Sequence, residues 1–284
     1  MAKPAHLTQN GGGMKFLERW FPFRKAAKDE AASKVSECCI CLKSLSGTIV
    51  YDPWNNAAHL THQVTFCSSC DRILSPHRAG GAFLYSDGRF ICGLCKKMAV
   101  SDSVAANKAR REVLAALEKA GFEGIPKNVE IVLAHAKALS AHSRKQHTAG
   151  LTLSKVHFEN YKRTGISHQI GILPGLPKVE FEAVMAHELL HVWQQEHQVK
   201  FSPVYCEGLC ELGAFLIYSE EDSELARHLI HKMMKSSDPV YGNGFRLMHQ
   251  KLQTLGWRGL IEQILKNKQG MEASVLEKIF GKKS

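Results

Sequence analysis

Apolar and polar positions divide the chain into a capped helix, a group of strands and then a long run of helices. From 101 to 121, SDSVAANKARREVLAALEKAG has Ser and Asp at its start, apolar Val104, Leu114 and Leu117, and Gly121 at its end, the pattern of a capped helix. VEIVLA at 129–134, LTLSKV at 151–156 and SHQIGILPG at 167–175 read as strands. Helical spacing then takes over at 178–197, about 204–219, about 222–235, about 244–266 and near 272–280. No internal repeat is visible. Residues 1–36 carry GGG at 11–13 and no trustworthy periodicity, so a mobile basic tail is expected there. The alternative is that Phe16, Leu17, Trp20, Phe21 and Phe23 form a short surface-binding patch.

A length of 284 residues suits one sizeable core plus a smaller module. No apolar run reaches the roughly 20 residues of a membrane-spanning helix. Near the start, MKFLERWFPFRK is interrupted by Glu18, Arg19 and Arg24 and is not followed by a small-residue cleavage site, so it does not read as a signal peptide. A cytoplasmic protein is expected. The net charge of +10 is unevenly spread, and residues 166–230 hold 3 Lys and Arg against 10 Asp and Glu. Phosphate repulsion excludes a nucleic-acid groove in that segment. The basic flanks read as solvated lysines.

Seven of the nine cysteines fall between 38 and 95, mostly in C-x2-C pairs, which points to metal rather than disulfides. Cys38 and Cys41 are followed after 17 residues by His59 and His62; Cys67 and Cys70 are followed after 21 residues by Cys92 and Cys95. Each set offers four ligands of the kinds that close a structural tetrahedral zinc site. Two consecutive sets with a short gap resemble a LIM domain over residues 38–95, with His62 where LIM domains usually place a cysteine. Cys39 is the alternative to His62 as fourth ligand. A module of this size folds around its metal and presents a surface to partners.

The candidate chemistry lies in EFEAVMAHELLHVWQQEH, residues 180–197. In a helix, His187 and His191 are about 40° apart around the axis and one turn apart along it, so both can face one metal ion, with Glu188 beside them as general base. A catalytic zinc needs a third protein ligand and an open position. His197 has no helix-breaking glycine before it, since Gln194 occupies that place, and in a continuous helix it lies about 240° from His191. Glu207, in the helix that begins after Pro203, is the better third ligand. Glu211, one turn on, is either a hydrogen-bond partner for a ligating histidine or a plain solvated glutamate. Cys206 and Cys210 read as core residues.

IGILPGLPKVEFEAVMAHELLHVW, EGLCELGAFL and DPVYGNGFR, in that order, resemble the peptidase-domain motifs of the plant organ-size regulators, a family of ubiquitin-activated, LIM-containing zinc peptidases. The match runs from about residue 125 to 266. It implies an α+β fold: a small sheet plus helices forming a gluzincin-like zinc peptidase domain, preceded by a LIM-like double zinc module. The expected organisation is a tail at 1–36, the LIM-like module at 37–98 and the peptidase domain at 99–284. The resemblance implies His187, His191 and Glu207 as ligands of one catalytic zinc, beside two structural zinc ions, Glu188 as base, protein substrates, and ubiquitin or a ubiquitinated protein as partner. The chain has one LIM-like module and no segment with the pattern of a ubiquitin-interacting motif.

Two further expectations concern the reaction. SHQIGILPG could offer an open sheet edge for an extended substrate. Tyr241 could donate to the oxyanion, the bland alternative being that Gly242, Asn243 and Gly244 are a turn with Tyr241 packed on the core. The rival to a peptidase is a non-catalytic LIM-type adaptor whose second domain holds a structural zinc or none.

Overall fold

Asp102 accepts a hydrogen bond from the Ala105 amide at 2.8 Å, and Gly121 at φ +107° closes the helix that follows. Start and stop therefore lie where the cap chemistry puts them. The computed structural model of the chain describes residues 35–142, 149–267 and 269–271. The expected tail and its aromatic patch, up to residue 34, and the helix expected near 272–280 lie outside the described residues.

The elements, in chain order, are β1 (Ile49–Tyr51), β2 (Ala57–His59), a 3-10 turn (Leu60–His62), β3 (Ala82–Leu84), β4 (Phe90–Cys92), α1 (Gly93–Lys97), β5 (Ala99–Val100) and α2 (Ser103–Ala120). Next come β6 (Glu130–Leu133), α3 (Ala136–His142), β7 (Gly150–Glu159), β8 (Lys162–Ile172), β9 (Leu176–Pro177) and α4 (Lys178–Glu196). The chain continues through β10 (Lys200–Phe201), α5 (Pro203–Glu220), α6 (Glu224–Lys235), α7 (Tyr241–Lys266) and β11 (Gln269–Met271). The arrangement is mixed α+β, with short sheets and several helices. No helix among the described residues is long and apolar enough to cross a membrane.

α4 organises the core. Phe181, Met185, Leu189, Leu190, Val192 and Trp193 are fully buried on several of its faces, as befits a helix enclosed on all sides. It packs against α5, α2 and the sheet formed by β6, β8 and β7 in that spatial order. β8 pairs parallel with β6 and antiparallel with β7, so SHQIGILPG lies in the centre of the sheet and offers no open edge. Its Ile170 and Ile172 are fully buried, which suits a strand covered on both sides. Among the described residues, the edge strand beside α4 is β7 instead.

β7 and β8 are longer than the sequence pattern suggests, because Asn160 and Tyr161 at φ +47° and +60° make the two-residue turn whose twist matches that of paired strands. α7 begins at Tyr241, since Asp238 Oδ1 accepts from the amides of Val240 and Tyr241 at 2.8 Å each. Gly242, Asn243 and Gly244 are therefore the first turn of a helix and not a loop. α7 breaks at Gly256, whose φ of +66° is non-helical.

The described residues from Val35 onward lie in one compact unit. Cys67, Cys70, Cys92 and Cys95 belong to the same buried cluster as the helices, whereas Cys38, Cys39, Ala58 and Ile73 form a small cluster of their own. β5 pairs with β9, Arg89 donates to the Pro174 carbonyl at 2.8 Å, and Asp71 meets His228 at 2.8 Å and Lys232 at 2.9 Å.

Candidate functional site

Among the described residues, four groups of side chains bring potential metal ligands within 4.8 Å of one another: Cys38, Cys41, His59 and His62; Cys67, Cys70, Cys92 and Cys95; His187, His191 and Cys210; and His191, Cys206 and Glu207. Ordinary zinc bond lengths set a test. Around a tetrahedral ion, neighbouring ligand atoms stand about 3.4 Å apart for two nitrogens or nitrogen and oxygen, about 3.6 Å for nitrogen and sulfur, and about 3.8 Å for two sulfurs. Cys70 Sγ and Cys92 Sγ are 3.8 Å apart, Cys41 Sγ and His59 Nδ1 3.6 Å, and His59 Nδ1 and His62 Nε2 3.4 Å. All three separations match the edges of a zinc tetrahedron. Cys39 is outside the first group: it is buried, and its carbonyl accepts from the Ser75 hydroxyl.

The thiols of the second group are crowded enough to share protons. Hydrogen bonds from Cys70, Cys92 and Cys95 pull the Cys67 thiol far down, and Cys67, Cys70 and Cys92 push Cys95 up. A cation is the usual relief for such a set.

The helical site is built by α4 and α5. His187 and His191 lie on one face of α4, their ring centroids 5.1 Å apart. Glu207, in the second turn of α5, places Oε2 3.3 Å from His187 Nε2 and 3.6 Å from His191 Nε2. That oxygen is buried and makes no well-formed hydrogen bond, although two ring nitrogens face it. A buried carboxylate oxygen that stands about a tetrahedral edge from each of two imidazole nitrogens belongs to the donor set that a divalent ion of the zinc kind takes. On the far side of His187, Glu211 Oε1 is 3.2 Å from Nδ1, the arrangement that fixes the tautomer of a ligating histidine. His191 Nδ1 instead faces sulfur, Cys210 Sγ at 3.4 Å and Cys206 Sγ at 3.7 Å.

The electrostatics follow from this crowding. Burial opposes charging His187 and His191, yet Glu207 and Glu211 hold the first well above its ordinary value and Cys206 and Glu207 raise the second to about 9. Burial also opposes ionising Glu207, but the two histidines hold it well below the carboxylate range. Cys206 is lowered to about 5 by its hydrogen bond with Cys210, against burial, with help from His191.

Close helix contacts make the site possible. At Gly208, beside Glu207, a Cβ would collide with the backbone of Gly244, and one at Gly244 would strike the Val204 carbonyl, so α5 and α7 cross at two glycines. That crossing brings Tyr241 over the site, its ring stacked on His187 at 6.1 Å and 9°. Burial and the carboxylates of Glu207 and Glu188 push its phenol pKa up, so Tyr241 keeps its proton. Glu188 is buried at 6% exposure, with Thr152 Oγ1 2.7 Å from its Oε2. His197 is elsewhere: α4 runs unbroken to Glu196, and His197 stacks on Trp193 and meets the Trp193 carbonyl at 2.9 Å. Gln194, at the place of the missing glycine, is buried and donates to Cys210 Sγ at 3.1 Å. A cavity of about 540 Å³ opens beside His191, lined in part by Gln194, Gln198, Lys200, Phe201 and Cys206.

Sequence reasoning missed the contacts of Cys206 and Cys210 with His191 and of Thr152 with Glu188. The i, i+4 cysteine spacing after Pro203 was a usable signal for the first. Nothing in the local sequence marks the second, which depends on how the sheet is laid on α4.

Two curated proteins of Arabidopsis thaliana are similar to this chain. Protein DA1 is 22% identical over 257 residues, covering 70% of this chain and 48% of its own length. Protein DA1-related 2 is 19% identical over 301 residues, covering 90% of this chain and 55% of its own length. The chain thus spans about half the length of the curated relatives it matches. No family model and no solved structure matches it.

Proposed function

We propose that the chain is a zinc-dependent metalloendopeptidase in which His187, His191 and Glu207 hold a catalytic ion and Glu188 is the general base. The observation that carries this reading is the buried Glu207 oxygen, without a well-formed hydrogen bond, 3.3 and 3.6 Å from two histidine nitrogens. The distant similarity to the DA1 proteins is in line with it.

A bound zinc ion supplies Lewis acidity, lowering the pKa of a water molecule and polarising a carbonyl. The side chains do the rest. Glu188 takes a proton from the attacking water and returns it to the leaving nitrogen. Glu211 holds His187 so that Nε2 faces inward. Tyr241, still protonated, donates to the oxyanion. The free edge of β7 runs past Glu188 and accepts an extended substrate as an added strand. The substrates are proteins, with ubiquitin or a ubiquitinated protein as partner, in the cytoplasm where cysteine ligands stay reduced. Residues 37–98, with two structural zinc ions, bind partner or substrate; Tyr51, Leu60 and Leu84 are exposed there. Residues 99–284 form the peptidase part.

The test is proteolysis of an unfolded-protein mixture by the wild type and Glu188→Gln, with and without ubiquitin chains, each protein assayed for zinc. Activity lost in the variant with zinc held at three ions per chain is expected. Two ions per chain and no cleavage by either protein would favour the adaptor reading.

A further inference from the structure

The carboxyl group of Glu188 rests on the edge strand β7, and two residues there shape its seat. Gly150 and Thr152 are two apart, so they lie on one face of the strand. A Cβ at Gly150 would stand 2.6 Å from Val184 Cγ1, 2.7 Å from Glu188 Oε1 and 2.9 Å from Glu188 Cγ, closer than real contacts allow. The bare backbone of Gly150 therefore gives room to Val184 and to Oε1 of Glu188. On the other oxygen, Thr152 Oγ1 is 2.7 Å from Oε2 and also 3.0 Å from the main-chain carbonyl of Glu188.

A threonine hydroxyl has one hydrogen and two lone pairs, and here it has two acceptors within reach. Both acceptors belong to Glu188, its side-chain Oε2 and its main-chain carbonyl, so one hydroxyl ties the carboxyl to the residue's own backbone on the face of β7.

We infer that Thr152 is a positioning residue for Glu188 that fixes its carboxyl against β7. The inference rests on the peptidase reading above. Thr152 transfers no proton itself: the proton passes from water to Glu188 and from Glu188 to the leaving nitrogen. What Thr152 supplies is a fixed base at each transfer, and misplacement by about 1 Å is enough to cost a reaction of this kind on the order of a hundredfold.

The experiment compares Thr152→Val, which keeps the shape and removes the hydroxyl, with Thr152→Ser, which restores it, and with Glu188→Gln, all assayed for zinc and for kcat and KM on one peptide substrate. Thr152→Val should lower kcat about tenfold or more with KM and zinc content unchanged, and Thr152→Ser should recover most of it. A readout free of activity is the thermal midpoint: Thr152→Val should lower it more in the wild type than in a Glu188→Ala background. An inactive Glu188→Gln beside a Thr152→Val with wild-type kcat, or additive midpoint shifts, overturns this inference alone. A wild type without peptidase activity, or a fully active Glu188→Gln, overturns the peptidase reading and this inference with it.

Discussion

Glu207 and Glu211 are one helical turn apart, yet they face His187 from opposite sides of its ring, Glu207 toward Nε2 and Glu211 toward Nδ1. Removing either should have a different consequence. Glu207→Ala takes away the oxygen shared by both histidines, and zinc in the purified protein should fall from three ions per chain to two, read by metal analysis. Glu211→Gln keeps a polar group beside Nδ1 but not its charge, so the third ion should remain and be lost to a chelator about 10- to 100-fold more readily. Equal zinc loss in the two variants would show that the carboxylates do not divide the work this way. The pairing of His187 with His191 was legible from spacing alone, because i, i+4 histidines share a helix face whatever surrounds them, and Glu207 from its place early in the next helix. The sulfurs at His191 and the hydroxyl at Glu188 were not, since they come from how separate elements pack.

Among the elements, α4 and α5 hold the candidate site, and α7 crosses α5 closely at Gly208 and Gly244. Gly208→Ala would push α5 off α7, at a cost of about 1–3 kcal/mol with a lower thermal midpoint, and would displace Glu207 and so lower zinc occupancy as well. Gly165→Ala on β8, with no atom within 4 Å of the new methyl, is the matched control and should do neither. At its start, α4 buries Glu180 against the CSSC turn. Burial first of all raises its pKa from 4.5 to about 7, opposed by Ser69, Lys232 and Arg89. The unfolded chain releases this proton near pH 4.5 and the folded chain only near pH 7, so the folded state loses stability as pH rises between those values and no more above them. Urea unfolding of the wild type and Glu180→Gln at pH 5 and pH 8 should show the variant gaining on the wild type by up to roughly 3 kcal/mol at the higher pH. A constant difference between the two proteins would refute that.

Taken as a whole, the molecule joins its second cysteine set to the helices through one buried cluster and leaves the first set on a small cluster of its own. Cys95→Ser should therefore lower the main thermal transition of the whole chain, and Cys41→Ser should lower it much less, as calorimetry would show. Equal shifts would mean that the cores are not divided in this way. The sequence by itself determined what depends on neighbours along the chain: the caps of α2, the helical spacing of α4 and α5, and the ligand pairs, whose short separations local backbone geometry fixes. It also singled out Glu207, in the helix that begins at Pro203, as the carboxylate that meets His187 and His191. Only the tertiary structure decided that β8 is central and β7 the edge, that Tyr241 begins a helix over His187, that Thr152 seats Glu188, and that the second cysteine set is built into the helical core. Those outcomes turn on which strands pair and where two glycines let helices cross, and pairing over long stretches of chain leaves no periodic trace in the residues that take part.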